Sequence, residues 1–320
     1  MIKKLTMRRI TLASILLFIL VLFTIFPKQP EYKLDLQNNQ TVEYVSKNAT
    51  HEIYLIDKDN YVARTSVILR TEKTESKARE LLEILVIGGK RENSIPSGFR
   101  AIIPVDTKIL TTELKDGILK VNFSKEFLDV NKENEEKMLE AIIYTITSIE
   151  DIKGLIIYVD NILLTTLPKT GVKLPTLLTR EFGVNKYYDI VNTRNIVSTT
   201  VYYINKHDEN YYYVPVTKVT NSEKEKIKLI IDELTGGPIY QSNLMSFLNS
   251  NTRLLNYSLQ EKSMQLEFNS YIVDNIENNR ILEEVKYSIL LSINDNYLVE
   301  KVVFIVNNVE IEKSVIKTLE

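Results

Sequence analysis

The chain carries one polar and apolar phrase twice. In GILKVNFSKEFL (117–128) apolar and polar side chains alternate, the chain turns at Ser124, and Phe127 and Leu128 follow. KSMQLEFNSYIV (262–273) repeats that order. A period of two marks a strand with one buried face. Leu119, Val121 and Phe123 share a side in the first copy, and Met264, Leu266 and Phe268 match them in the second. Lys120 and Asn122, like Gln265 and Glu267, face the other way. A preceding run makes each copy a hairpin, TKILTTELKDGILKVNF (107–123) and TRLLNYSLQEKSMQLEF (252–268). Asp116-Gly117 is a strong tight-turn pair, whereas Glu261-Lys262 is a poor one, which predicts a looser second turn.

The surroundings repeat as well. EIYLID (52–57) and VARTSVILR (62–70) open the first unit; TVYYIN (200–205) and YYYVPVTKV (211–219) open the second. The period then changes to 3.6. Ala78, Leu81, Leu82 and Leu85 fall on one helical stripe, and Ile227, Ile230, Ile231 and Leu234 repeat it, so each helix should bury that stripe. Both helices are expected to stop at glycine pairs, Gly88-Gly89 and Gly236-Gly237. After the hairpin a second helix follows, in which Leu139, Ile142, Tyr144 and Ile146 are aligned with Leu282, Val285, Tyr287 and Ile289. LIIYVDN (155–161) and VVFIVNN (302–308) close the units.

The order β-β-α-β-β-α-β, written twice, predicts an α+β fold. Two tandem small sandwiches are expected, each a mostly antiparallel sheet with two helices packed on one face. The expected repeat core is Leu82, Leu85, Leu119, Val121, Phe123, Phe127 and Ile142 in the first unit. In the second it is Ile231, Leu234, Met264, Leu266, Phe268 and Val285. The units span 51–165 and 199–320. Between them 166–198, with Pro168, Gly171, Pro175 and Gly183, reads as a linker partly packed on the first unit as an extra strand or short helix.

The amino terminus has a different pattern. Basic residues lead into an uncharged stretch, 10–26, which includes Ile10, Leu12, Leu16, Phe18, Leu22 and Phe26. As a helix it spans about 25 Å, near the lower limit for crossing a bilayer. No small-residue cleavage pair precedes Pro27, so an uncleaved single-pass anchor is expected over 1–27. The preceding charges place the first residues in the cytoplasm and the carboxy-terminal body outside the cell membrane. Residues 28–50, polar and without a strong period, read as a stalk.

Composition narrows the function. The 320 residues contain no Cys and two His, His51 and His207. That removes thiolate chemistry, disulfides and His- or Cys-rich metal sites, so no metal or cofactor is expected. Residues 1–30 carry five positive charges and no acid, leaving the rest of the chain at −7. An acidic body without a basic stripe argues against nucleic acid as a partner. His51 lies before a strand and His207 in a turn-like stretch, with no nucleophile motif near either. Asp57 and Asp59 in DKDN lack the central glycine of a calcium loop, and read as a turn. The acids at 133–136 open a helix, where negative charge suits the dipole. Tyr211–213 and Tyr187-Tyr188 could stack on sugars, although tyrosine is also a good strand former.

These residues together resemble the GerM domain of sporulation and spore germination proteins, in two tandem copies. The resemblance rests on LLEILVIGG and IIDELTGGP ending the first helices, DGILKVNFSKEF, and EAIIYTITSIEDIKGLIIYVDN. Gly237-Pro238 fits the family pattern and Gly89-Lys90 departs from it; 121–127 fits the family strand closely and 266–269 more weakly. The resemblance covers about 50–165 and 199–312 and implies a fold similar to the ring-building motifs of the mother-cell to forespore channel. It implies a membrane-attached assembly protein that is not an enzyme. Its partners would be envelope or sporulation-channel proteins, in a homo- or hetero-oligomer. One well-known member is a lipoprotein tethered through Cys; this chain, lacking Cys, would use residues 10–26. The alternative is a cell-wall module that binds glycan or assists a peptidoglycan hydrolase, with peptidoglycan as the partner.

Overall fold

The computed structural model describes residues 50–238, 242–274, 280–297 and 299–315. The expected anchor and most of the stalk, with Ile10, Leu12, Leu16, Phe18, Leu22 and Phe26, lie outside them. Among the described residues no helix is long and apolar enough to cross a membrane.

In the first unit, strands β1 (Thr50–Asp57) and β2 (Val62–Ile68) form a hairpin. Helix α1 (Thr74–Ile84) and the short strand β3 (Phe99–Arg100) follow. Next come β4 (Ile109–Lys115), β5 (Ile118–Phe123), α2 (Glu135–Ile146), β6 (Gly154–Val159) and β7 (Ile162–Leu163). In the linker β8 is Tyr187–Asp189. The second unit runs β9 (Ile196–His207), β10 (Asn210–Asn221), α3 (Lys226–Gly236), β11 (Leu254–Gln260), β12 (Ser263–Phe268), α4 (Glu283–Asn296), β13 (Lys301–Val306) and β14 (Val309–Val315).

The α+β class holds, but the sheets are divided differently from one sheet per unit. The two opening hairpins merge: β2 pairs with β10 at Arg64 and Tyr213, giving one six-stranded sheet. The later strands form two four-stranded sheets, β4-β5-β6-β7 and β11-β12-β13-β14. In each the central pair is parallel, because a helix crosses over between its strands. Helix α2 touches both β1 and β6, so the helical layer serves two sheets. The sequence reason lies in β1. Its last five residues, Ile53 to Asp57, are all buried, as expected of a near-continuous apolar run covered on both faces.

The returning strands are half-buried. Leu119, Val121, Phe123, Met264, Leu266 and Phe268 are each 0 % exposed. Leu82, Leu85, Phe127, Ile142, Ile231, Leu234 and Val285 are buried too. Phe127 stacks on Phe123 with ring centres 4.4 Å apart. Ser124 reverses the chain by donating its N–H to Lys108 O and accepting the Lys108 N–H on Oγ. Asn269 makes the same pair with Arg253, so Asn does in the second copy what Ser does in the first.

Three local expectations are corrected. The Glu261-Lys262 turn is as short as Asp116-Gly117, with Gln260 opposite Ser263 and Glu261 at φ 53°. Helix α1 ends at Ile84, before Gly88-Gly89, because the Leu85 carbonyl accepts from Ile102 and Ile103, Val86 bridges to Ile103 and the chain turns at Ile87-Gly88. Helix α3 does end at the glycine pair, with Gly237 at φ 80°. The third correction concerns the second helices. Thr145 Oγ1 accepts the N–H of Tyr54, and Ser292 Oγ that of Tyr202. Gly154 of β6 and Lys301 of β13 hold the same register position. Both pairs align the helices four residues, about one turn, away from the sequence alignment. A shift of one turn leaves the apolar stripe nearly in place, so periodicity could not detect it.

Candidate functional site

The densest set of buried polar groups joins the two units. Strands β1 and β9 are equivalent, so Tyr54 corresponds to Tyr202 and Asp57 to Asn205. Both pairs are in direct contact. The Tyr54 and Tyr202 hydroxyls lie 3.0 Å apart, and Asn205 Nδ2 donates to Asp57 Oδ2 at 3.0 Å. Contact between equivalent residues is the mark of a local two-fold between the hairpins.

The linker supplies the centre of this joint. It first folds back on the first unit, where Leu178 pairs with Leu155, and it makes a short 3-10 turn at Arg180–Phe182. Arg180 Nε donates to Thr147 Oγ1 at 3.0 Å, and its guanidinium carbon sits 4.8 Å from the Tyr144 ring centre. Nη1 pairs with Asp295 of α4. The second carboxylate oxygen of Asp295 accepts from the Tyr202 hydroxyl at 3.2 Å. One cation of the linker therefore binds the first unit's helix and the second unit's helix at once.

Burial sets the electrostatics. It pushes the Tyr54, Tyr144 and Tyr202 hydroxyls up, the last two well above the ordinary range, so all three stay neutral donors. Burial, the largest single influence, would lower Arg180, but Asp295 together with Tyr54, Tyr202 and Tyr144 outweighs it and holds the guanidinium well above its ordinary value. Beside them Glu52 and Arg64 pair at 2.5 Å across β1 and β2. Burial raises Glu52, yet the charge and hydrogen bond of Arg64 win and leave it below the usual carboxylate value.

A second knot lies at the hairpin tip. Asp57 Oδ1 accepts the N–H groups of Asp59 and Tyr61, and Oδ2 accepts Asn205 and the Tyr212 hydroxyl. Asp59 accepts from Asn205 at 2.9 Å and Asn243 at 2.7 Å. These bonds, that from Asn205 above all, hold its carboxyl below its ordinary value. The DKDN acids thus tie a turn of one unit to the other. Among the described residues no cluster of His, Asp and Glu could hold a metal ion.

The histidines sit apart from the joint's centre. His51 is on β1 opposite Val67, and its ring is held below the ordinary value by burial and then by Lys77. His207 lies over Gly98, whose Cβ would come within 2.4 Å of the ring. Its Nε2 is 3.3 Å from Ser97 Oγ and 3.6 Å from Asp208. Serine and acid address the same ring nitrogen, so Asp208 does not orient a base toward Ser97 as a catalytic triad requires. Of the three adjacent tyrosines, Tyr212 points into the joint and Tyr213 rests 6.2 Å from the Tyr287 ring. Tyr211 is 45 % exposed.

Sequence reasoning did not single out Arg180 or Asp295, and took Glu135 only as one of the acids that open a helix, whereas it anchors the linker by accepting from Lys169 N, Thr170 N and Thr170 Oγ1. One available signal was the recurrence of tyrosine at 54 and 202, equivalent positions of the two opening strands.

Comparison with known proteins gives one answer throughout. The family model described as sporulation and spore germination, Germane, matches residues 52–165 and 200–312. The chain is 32 % identical to the spore germination protein GerM of Bacillus subtilis (strain 168) over 272 residues, covering 83 % of this chain and 73 % of that one. It also resembles the solved tandem GerMN domains of the sporulation protein GerM from Bacillus subtilis. There the TM-score is 0.74 and the identity 32 %, over 81 % of this chain and 91 % of that one.

Proposed function

We propose, from the premise that this chain belongs to the Germane family of sporulation and spore germination proteins, that it is a non-catalytic assembly protein of the spore-forming cell. Residues 10–26 anchor it in the cell membrane by a single pass, and the tandem body stands outside. Its units are of the ring-building kind and bind envelope or sporulation-channel proteins in a homo- or hetero-oligomer.

The observation that supports this reading is the joint. Arg180, Asp295, Tyr54 and Tyr202 couple one unit to the other within a buried network. A network of this kind fixes one relative orientation of the two units. A rigid pair of similar modules suits repeated placement of partners in an assembly. The wall-glycan alternative is left with less of its aromatic platform, since Tyr212 is bonded to Asp57 and Tyr213 is half-buried.

The test is deletion and complementation in the source organism. The full chain should restore spore formation or germination, and a chain carrying Arg180→Met should restore it less well. Normal spores in the deletion strain would remove the proposal. A pull-down on purified peptidoglycan separates the alternative, which predicts binding that Tyr211→Ala abolishes.

A further inference from the structure

A trough beside the joint has chemistry that the joint does not use. Two adjoining depressions, about 410 and 520 Å³ in volume, share Glu136, Lys186 and Tyr188. Both volumes fall in the range of natural binding sites. The first opens between Glu133 and Lys137, at the start of α2, and Tyr187 and Leu244. The second runs on toward Pro175, Leu177 and Glu181.

Three features converge there. First, β8 is the terminal strand of the six-stranded sheet and, among the described residues, pairs with β10 alone. Its outer edge offers main-chain donors and acceptors. Second, the walls are apolar and open: Tyr188 is 61 % exposed, Leu177 40 % and Tyr187 38 %. Third, the charge is unbalanced. Lys186 is taken by Glu136 at 3.0 Å and Glu140 at 3.3 Å, and Lys137 donates to Asn60 O. The carboxylates of Glu133 and Glu181 make no hydrogen bond or ion pair among the described residues, Glu133 meeting only the charge of Lys137, and the four acids of the trough outnumber its two lysines.

We propose that the trough docks an extended, basic segment of a partner protein, added as a strand to the free edge of β8. Its apolar side chains lie against Tyr188 and Leu177, and its Lys or Arg side chains face Glu133 and Glu181. A free main-chain edge is of use to another polypeptide, and the unpaired acids repel phosphates and anionic polymers. The inference rests on the assembly reading and names the chemistry of the partner that reading requires.

The test selects random displayed peptides of about ten residues against the purified full-length chain, then measures resynthesised peptides by fluorescence anisotropy. Enriched peptides should alternate apolar residues with Lys or Arg. Tyr187→Ala with Tyr188→Ala should weaken them about tenfold or more. Added salt should weaken them too, and Glu133→Gln with Glu181→Gln should remove most of that salt dependence. Tyr271→Ala, a tyrosine 54 % exposed on the second unit, should change nothing. Enrichment of acidic peptides, no enrichment, or indifference to the trough variants would overturn the proposal. So would an N-acetylglucosamine hexamer bound through Tyr187 and Tyr188 in place of any peptide. If the Tyr187→Ala/Tyr188→Ala chain complements a deletion fully and no peptide is selected, docking falls and the assembly reading stands. If the deletion itself has no spore phenotype, the reading beneath it falls.

Discussion

The two units bury their interiors alike and differ where the linker passes. In the first, Glu135 opens α2 with its carboxylate closed over the backbone of Lys169 and Thr170. Further along, Glu140 accepts Asn185 N and pairs with Lys186. In the structural alignment the same places on α4 are Leu282 and Tyr287, which are 37 % and 46 % exposed. The inward positions agree: Ile142 and Ile289, like Ile146 and Ile293, are 0 % exposed. Duplication preserved the packing surface, while the outer surface followed whatever chain crosses it. The linker runs along α2 and reaches α4 at Asp295, so carboxylates at the places of Glu135 and Glu140 suit α2 and would be idle at Leu282 and Tyr287.

The sharpest way to break this asymmetry is to remove its central cation. Arg180→Met leaves Asp295 buried without its partner and should cost about 3 to 5 kcal/mol. Asp295→Leu should cost a similar amount, and the double variant less than the two together. Thermal unfolding followed by calorimetry measures this. The single variants should also broaden or split the transition as the units uncouple. Additive losses would mean that Arg180 and Asp295 do not act as a pair.

Next in size is the anchor of the linker. Glu135→Leu gives the first unit the second unit's residue and strands the N–H groups of Lys169 and Thr170. The loss should be about 2 to 3 kcal/mol, read from urea unfolding. Leu282→Glu, the reverse exchange on an exposed site, should fall within about 0.5 kcal/mol. Equal effects would show that the linker does not distinguish the units.

The units also differ in acid. Glu52 of β1 corresponds to Thr200 of β9, which cannot ionise and instead contacts Thr217 at 2.9 Å. The folded pKa of Glu52 is lowered, so its contribution is present above the ordinary glutamate value. It is lost as pH falls through the lower folded value. Glu52→Gln should cost about 1.5 kcal/mol at neutral pH and should flatten the fall in melting temperature below about pH 4.5. Glu140, raised chiefly by burial, works in the opposite direction. An unchanged acid limb would assign the fall to other carboxylates.

What could be read in advance divides by physics. The alternation in β5 and β12 was legible because a one-residue slip would turn every apolar side chain into water. The α4 alignment was not, since a helical stripe survives a shift of one turn. The merged hairpins were hidden because β2 and β10 each look complete as hairpin strands, and nothing local marks which free edge finds the other. Arg180 was hidden because a lone arginine in a linker reads as solvated. Only the fold brings Tyr54, Tyr144 and Asp295 around it.

The smallest effect tests the difference that the sequence made most visible, the two hairpin turns. Both are two residues long, yet Asp116-Gly117 suits the left-handed backbone while Glu261 adopts φ 53° with a full side chain. A non-glycine residue held there is strained by about 1 to 2 kcal/mol, and part of the relief is offset by the greater freedom of glycine in the unfolded chain. Glu261→Gly should therefore gain about 0.5 to 1 kcal/mol, a rise of roughly 1 to 4 °C in Tm for a body of this size. The reverse exchange should hurt. Gly117 is at φ 77°, and a Cβ there would sit 3.2 Å from Asp151 O, so Gly117→Ala should lose about 1 kcal/mol or more. If Glu261→Gly is neutral while Gly117→Ala destabilises, the second turn gains something from its glutamate that the first does not need. The similarity of the two turns would then stop at their length.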